Sequence, residues 1–163
     1  DAYIAKLSAD FGVITTTYMD GICISQSISS PVSKGTHYDL SSYPDLAVPF
    51  IVACALRYRK TTISGIHHLE YKESERLTVL QYELSKLGID LQLKGEDLFF
   101  NMAADGCREQ EINVNVHSDH RIAMAMTLPA LMGHIIHLDN PGCVKKSFPD
   151  FFREIKGLGF EIT

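Results

Sequence analysis

The sequence predicts an α/β domain made of repeated βαβαββ units, and three observations predict it. Short β-branched runs alternate along the chain with segments of helical hydrophobic period. Landmarks also recur at near-constant spacing. Lys72-Glu73-Ser74 and Lys145-Lys146-Ser147 stand 73 residues apart, Asp45 and Asp119 stand 74 apart, and Leu87-Gly88 and Leu158-Gly159 stand 71 apart. Phe11-Gly12 precedes Leu87-Gly88 by 76 residues and reads as the end of an earlier copy. This period exceeds the ~20–50 residues of common solenoids, so each unit is a compact α/β element in itself. Finally, 163 residues with 45% hydrophobic and 21% charged content suit one domain with a real core. The expected units are residues 1–30 (the tail of one copy), 31–103 and 104–163, with helices inward and sheets outward around a pseudo-threefold axis.

Composition excludes several classes. A net charge of −5 argues against a general binder of nucleic acid or acidic membrane, while leaving room for a local basic pocket. The four cysteines, Cys23, Cys54, Cys107 and Cys143, show neither a C-x-x-C pair nor a zinc spacing, which fits a reducing cytoplasm and no metal. No apolar run approaches the length of a transmembrane helix. Asp1-Ala2-Tyr3 does not open a signal peptide, and the first residue is not methionine, so a processed or truncated piece of a longer chain is expected.

Taken in order, Ala2 to Phe11 is expected as a short helix ended by Gly12, with Ile4, Leu7 and Phe11 facing inward. Val13 to Thr17 and Ile22 to Ser25 are strands around an Asp20-Gly21 hairpin turn. Gln26 to Leu40 is a loop with room for a short strand. Asp45 to Tyr58 reads as a helix that tolerates Pro49 in its first turn. Thr61 to Ile66 is a strand, followed by a helix in which Leu77, Leu80, Leu84 and Leu87 recur and Gly88 stops the run. Ile89 to Leu93 and Leu98 to Met102 form a second hairpin around Gly95. Glu111 to Val116 alternates as a strand, and Asp119 caps a helix from about His120 to Leu131. His134 to Leu138 is a strand, Asn140-Pro141-Gly142 a turn, Pro149 to Leu158 a helix, and Phe160 to Ile162 a last strand.

Lys72-Glu73-Ser74-Glu75-Arg76 is the most informative stretch. It falls on a first helical turn, where unpaired N–H groups favour anions, yet it carries two cations four residues apart. Cations that oppose the helix dipole suggest a docked anion, although a solvated capping cluster is the commoner explanation of one such stretch alone. Asp45, Glu73, Arg76, Asp119, Arg121 and Lys146 all fall near expected helix starts, which pseudo-symmetry would bring to one face. Singly, each has a plainer reading. Asp45 is an N-cap, and Asp119-His120-Arg121 a cap followed by a structural ion pair. His117, Asp119 and His120 lack a further ligand for a metal. His67-His68 is a polar strand end, and Met124 and Met126 cannot both face a core.

Together, Tyr43-Pro44-Asp45-Leu46, Lys72-Glu73-Ser74-Glu75-Arg76, Ser118-Asp119-His120-Arg121-Ile122-Ala123-Met124 and Lys145-Lys146-Ser147-Phe148-Pro149-Asp150-Phe151 resemble the C-terminal half of the EPSP synthase (3-phosphoshikimate 1-carboxyvinyltransferase) family, in order and spacing. The resemblance covers essentially the whole chain; Glu75 stands where the family more often has Asp. It implies an inside-out α/β barrel, one domain of a two-domain enzyme that closes on its substrates. The implied reaction transfers the enolpyruvyl group of phosphoenolpyruvate to the 5-hydroxyl of shikimate 3-phosphate, in the cytoplasm and without metal or organic cofactor. By resemblance Asp45 contacts that hydroxyl and acts as its base, while Glu73 moves a proton to and from the methylene carbon. Lys72 and His68 contact shikimate 3-phosphate, Arg76, Arg121 and Lys146 surround phosphoenolpyruvate, and Asp119 and His120 support them. The partner implied is the missing N-terminal domain. The intact enzyme is expected as a monomer, and the fragment as inactive and prone to self-association at a seam near Ala2 to Phe11.

Independently of the resemblance, gathering a carboxylate and two phosphates costs about 4 kcal/mol per close like pair at an effective dielectric near 20. Arginine forks and lysine point charges offset such repulsion. Two carboxylates in different surroundings can divide acid and base work. Two other functions fit less of the pattern: the related UDP-N-acetylglucosamine enolpyruvyl transferase, and a non-catalytic anion-binding or interaction module of the same fold.

Overall fold

The computed structural model describes residues 11, 13–18, 22–26, 37–57, 60–71, 75–102 and 110–163. The helix expected over Ala2 to Phe11, the Asp20-Gly21 turn, and Lys72 and Glu73 therefore lie outside the described residues, Phe11 itself excepted. The strands are β1 (Val13–Thr17), β2 (Ile22–Gln26), β3 (His37–Asp39), β4 (Lys60–Ser64), β5 (Ile89–Lys94), β6 (Asp97–Met102), β7 (Glu111–Val114) and β8 (Ile135–Leu138). The α-helices are α1 (Ala47–Arg57), α2 (Arg76–Ser85), α3 (His120–Ala125) and α4 (Phe151–Gly157). Short 3-10 helices cover His67–Tyr71, Leu128–Met132 and Pro141–Lys146.

The order β3, α1, β4, 3-10 helix, α2 recurs as β7, α3, β8, 3-10 helix, α4, with one further 3-10 helix between α3 and β8, and the hairpin β1-β2 has its counterpart in β5-β6. Among the described residues three sheets follow from this order. The β1-β2 hairpin is antiparallel, from Val13 opposite Gln26 to Thr17 opposite Ile22. A four-stranded sheet runs β3-β4-β6-β5, with β3 parallel to β4 and β6 antiparallel between β4 and β5. The third sheet pairs β7 and β8 in parallel, Ile112 opposite Ile136. Parallel neighbours require a crossover, and α1 and α3 supply it.

Those crossover helices form the centre. In α1, Ala47, Val48, Phe50, Ile51, Val52, Cys54 and Ala55 are all buried, as expected of a helix that is apolar nearly all round. It packs on α3, whose Ile122, Ala123 and Ala125 are buried, and on β4. Helix α2 is one-sided, setting Leu77, Leu80 and Leu84 inward and packing on β5. Helix α4 lies at the margin and buries Ile155 alone.

Four expectations need correction. The helix predicted from His120 to Leu131 stops at Ala125 and gives way to the 3-10 helix Leu128–Met132. Pro129 accounts for this, because its ring lacks an N–H and clashes with the carbonyl four residues back. The last strand, Phe160 to Ile162, is not formed. Its counterpart β5 is held by β6 alone, and among the described residues no strand pairs with 160–162. Lys146 does not open a helix but closes the 3-10 helix Pro141–Lys146. Nor is Asp45 an N-cap: it lies two residues before Ala47, in a turn where Leu46 precedes the first helical residue.

Candidate active site

The centre of the site is a buried ion pair between the first residue of α2 and the cap of α3. Arg76 Nε donates to Asp119 Oδ2 at 2.6 Å and Nη2 donates to Oδ1 at 3.2 Å, with side chains only 3% and 0% exposed. The same Asp119 Oδ1 accepts from the Arg121 backbone N–H at 2.9 Å, as an N-cap. One carboxylate thus orders the start of α3 and fixes the edge of a guanidinium 43 residues away in sequence.

The approach to Asp119 is unusual. His117 and Ser118 both adopt left-handed backbone, with φ of 50° and 57°. Each costs about 1 kcal/mol or more for a residue with a side chain. Local hydrogen bonds hold them there: Asn115 Oδ1 accepts from His117 N–H, Asp139 Oδ1 accepts from Val116 N–H, and Asn140 Nδ2 donates to Ser118 Oγ. The turn after β8 therefore braces the turn after β7.

A second, outer pair lies beside the first. Arg121 Nη2 sits 2.8 Å from Asp45 Oδ1, and Nη1 donates to the Asp45 carbonyl at 2.9 Å. Here the side chains are 25% and 71% exposed. One arm of the Arg121 guanidinium meets the Asp45 carboxylate and the other its backbone carbonyl. Asp45, Arg76, Asp119 and Arg121 thus form two ion pairs joined through the Arg121 backbone N–H, buried at the Arg76 end and open at the Asp45 end.

The remaining predicted residues are placed less closely. His120 is the first residue of α3 and is buried. Lys146 is exposed, on the 3-10 helix that packs against α3 through buried Val144. His68 is half-buried in the 3-10 helix after β4, its ring edge-on to His67. Next to Asp119, the Cys143 thiol is pushed up from its ordinary value, first by burial and then by the charges of Asp119 and Asp139. A groove of about 860 Å³ lies elsewhere, lined among others by Leu131, Ile135, Phe152, Leu158 and Ile162. No arginine or lysine lines it, so it does not compete as an anion site. Among the described residues no cluster of His, Cys, Asp and Glu is arranged to hold a metal.

Sequence reading missed Glu83 and Lys86. Glu83 is fully buried and accepts from Lys86 Nζ at 2.7 Å and from the Asn115 N–H at 3.2 Å, while Lys86 Nζ donates to the Asn113 carbonyl at 2.7 Å. The available signal was a carboxylate set on the leucine stripe of α2 with a lysine three residues on.

The sequence profile of the EPSP synthase (3-phosphoshikimate 1-carboxyvinyltransferase) family matches residues 2–155. The chain belongs to the EPSP synthase family. Relatives named 3-phosphoshikimate 1-carboxyvinyltransferase include those of Hamiltonella defensa, 34% identical over 77% of this chain and 28% of that protein, and of Bacteroides fragilis strain ATCC 25285, 30% identical over 99% and 39%. The chain thus spans well under half the length of these curated relatives. Its fold is that of enolpyruvyl transferases. The crystal structure of the enolpyruvyl transferase NikO from Streptomyces tendae superposes with a TM-score of 0.73 at 18% identity, over 99% of this chain and 36% of that one. The structure of EPSP synthase from Acinetobacter baumannii superposes with a TM-score of 0.62 at 20% identity, over 94% and 38%. Within this EPSP synthase family member, three of the four motifs that carry the resemblance contribute residues to these two ion pairs: Asp45, Arg76, and Asp119 with Arg121.

Proposed function

We propose that this chain is one lobe of an enzyme that transfers the enolpyruvyl group of phosphoenolpyruvate to the 5-hydroxyl of shikimate 3-phosphate, releasing phosphate. The observation that carries this reading is the Arg121–Asp45 pair, an accessible fork already holding a carboxylate, backed by the buried Arg76–Asp119 pair. An anionic substrate displaces Asp45 from Arg121 and leaves that carboxylate beside the acceptor, able to take its hydroxyl proton. The hydroxyl oxygen adds to C2 of phosphoenolpyruvate while Glu73 delivers a proton to the methylene carbon. The C2–O bond to phosphate then breaks, the phosphate leaving with the proton that Asp45 took from the hydroxyl. Glu73 takes a proton back from the new methyl group, restoring the alkene. Arg76, Arg121 and Lys146 offset the negative charge of phosphoenolpyruvate, Lys72 and His68 contact shikimate 3-phosphate, and His120 supports the start of α3. Most of the acceleration comes from placement and fixed charge. A second lobe closes over the site; the whole enzyme is a cytoplasmic monomer, and the lobe alone is inactive.

The test is phosphate release by the full-length protein with phosphoenolpyruvate and either shikimate 3-phosphate or UDP-N-acetylglucosamine as acceptor. Turnover with shikimate 3-phosphate, reduced at least ~100-fold by Arg121→Gln, is expected. Turnover with the nucleotide sugar alone moves the assignment to the other transferase. Turnover with neither leaves an anion-binding module.

A further inference from the structure

We propose that Glu83 is a positioning residue for this anion site, acting through the segment that carries Asp119 and Arg121; the inference rests on the function proposed above. Arg76 and Glu83 are seven residues apart on α2, two helical turns, and so share one face of the helix. That face meets the segment 113–119 at three polar points: Lys86 at the Asn113 carbonyl, Glu83 at the Asn115 N–H, and Arg76 at the Asp119 carboxylate. The contacts run in opposite order along the two strands of chain, so they fix the register of the segment against α2. Between Asn115 and Asp119 stand the two left-handed residues, His117 and Ser118, hydrogen-bonded to their neighbours. A shift of Asn115 is therefore carried to Asp119, and through its cap bond to Arg121.

Stability alone does not call for a carboxylate at this position. A fully buried carboxylate loses its hydration, and an ion pair in that setting often stabilises no better than apolar side chains of the same size. What Glu83 adds is direction: a charged acceptor that holds one backbone N–H and one ammonium at fixed distances. It does not touch the substrates in the proposed reaction, and its effect passes through the two arginines.

The experiment uses Glu83→Gln, which keeps the volume and one acceptor oxygen, with Glu83→Ala and Lys86→Met beside it. In the full-length enzyme, Glu83→Gln is expected to raise KM for phosphoenolpyruvate about tenfold and leave KM for shikimate 3-phosphate within about twofold. Glu83→Ala is expected to exceed that and Lys86→Met to fall short of it. Equal changes in both constants, or a lowered melting temperature with both unchanged, overturn the proposal. A second readout does not depend on turnover. In the 163-residue chain, Glu83→Gln is expected to speed amide hydrogen exchange over 115–125 at least about tenfold while the β5-β6 hairpin exchanges as before. Uniform acceleration, or none, overturns it. An unmutated enzyme that fails to turn over refutes the proposed reaction, and the exchange experiment still decides the placement of Glu83.

Discussion

Arg76 and Asp119 are buried together, where breaking a charge pair is costly. Asp119→Asn keeps the side-chain oxygen that caps α3 but removes the charge facing Arg76. It is expected to cost about 3–5 kcal/mol in urea unfolding, the usual effect of breaking a buried ion pair. Unfolding at the wild-type midpoint would show that the pair contributes nothing. Arg121→Gln breaks an exposed pair and is expected to cost under about 1 kcal/mol, so a large loss of turnover in that variant would report on the proposed anion contact and not on stability. Cys143 gives a pH test in the same place. Its folded-state value is raised by burial and by Asp119, so the unfolded chain loses the thiol proton first. The contribution is constant below the unfolded value, and stability falls as pH rises from there to the folded value. Peptide-mapped alkylation at pH 8 is expected to modify exposed Cys23 before Cys143; the reverse order would refute the assignment. The capping role of Asp119 was legible from its place before an apolar run. Its grip on Arg76 was not, because spacing along a chain does not say which side chain lies opposite.

Among the elements, the turn between β4 and the following 3-10 helix is a tight one. Gly65 has φ of +72°, and a Cβ there would stand 2.3 Å from the Ser41 backbone nitrogen and 2.6 Å from Asp39 Oδ1. Gly95, in the β5-β6 turn, has φ of +63° but nothing within 4 Å. Gly95→Ala is expected to cost about 1 kcal/mol, the left-handed penalty alone. Gly65→Ala adds a steric clash and is expected to cost at least about twice as much. Denaturant midpoints compare the two, and equal losses would mean that the close approach to Ser41 relaxes freely. Most elements could be read from the sequence because a local cause sets each one: β-branched runs for β1 and β4, the leucine stripe for α2, Gly95 for the second hairpin. The failures have longer-range causes. Pro129 stands in the sequence, and the helix expected as far as Leu131 ran through it without account of its missing N–H. Phe160 to Ile162 carries strand residues, yet a strand exists only with a neighbour to bond.

At the scale of the whole chain, the charged residues join one unit to the next. Asp45, ahead of α1, meets Arg121 of α3; Asp119, ahead of α3, meets Arg76 of α2. The spacing of Asp45 and Asp119 in the sequence expresses that architecture, since each stands before the crossover helix of its own unit. This arrangement bears on what the chain does alone. Arg121 and Asp45 lie toward solvent, where an ion pair gains about 1 kcal/mol at contact, against about 4 kcal/mol at the effective dielectric of a closed protein site. An anion arriving at the open site must also displace Asp45 from the fork that holds it. With two or three such contacts, the difference between open and closed sites amounts to several powers of ten in affinity, at about 1.4 kcal/mol for each. The 163-residue chain is therefore expected to bind phosphoenolpyruvate no better than millimolar by calorimetry, with shikimate 3-phosphate present or absent. Asp45→Asn weakens the competing partner and is expected to tighten that binding severalfold, whereas Arg121→Gln abolishes it. Micromolar binding by the unmutated chain would mean that these residues already form a closed site without a second lobe.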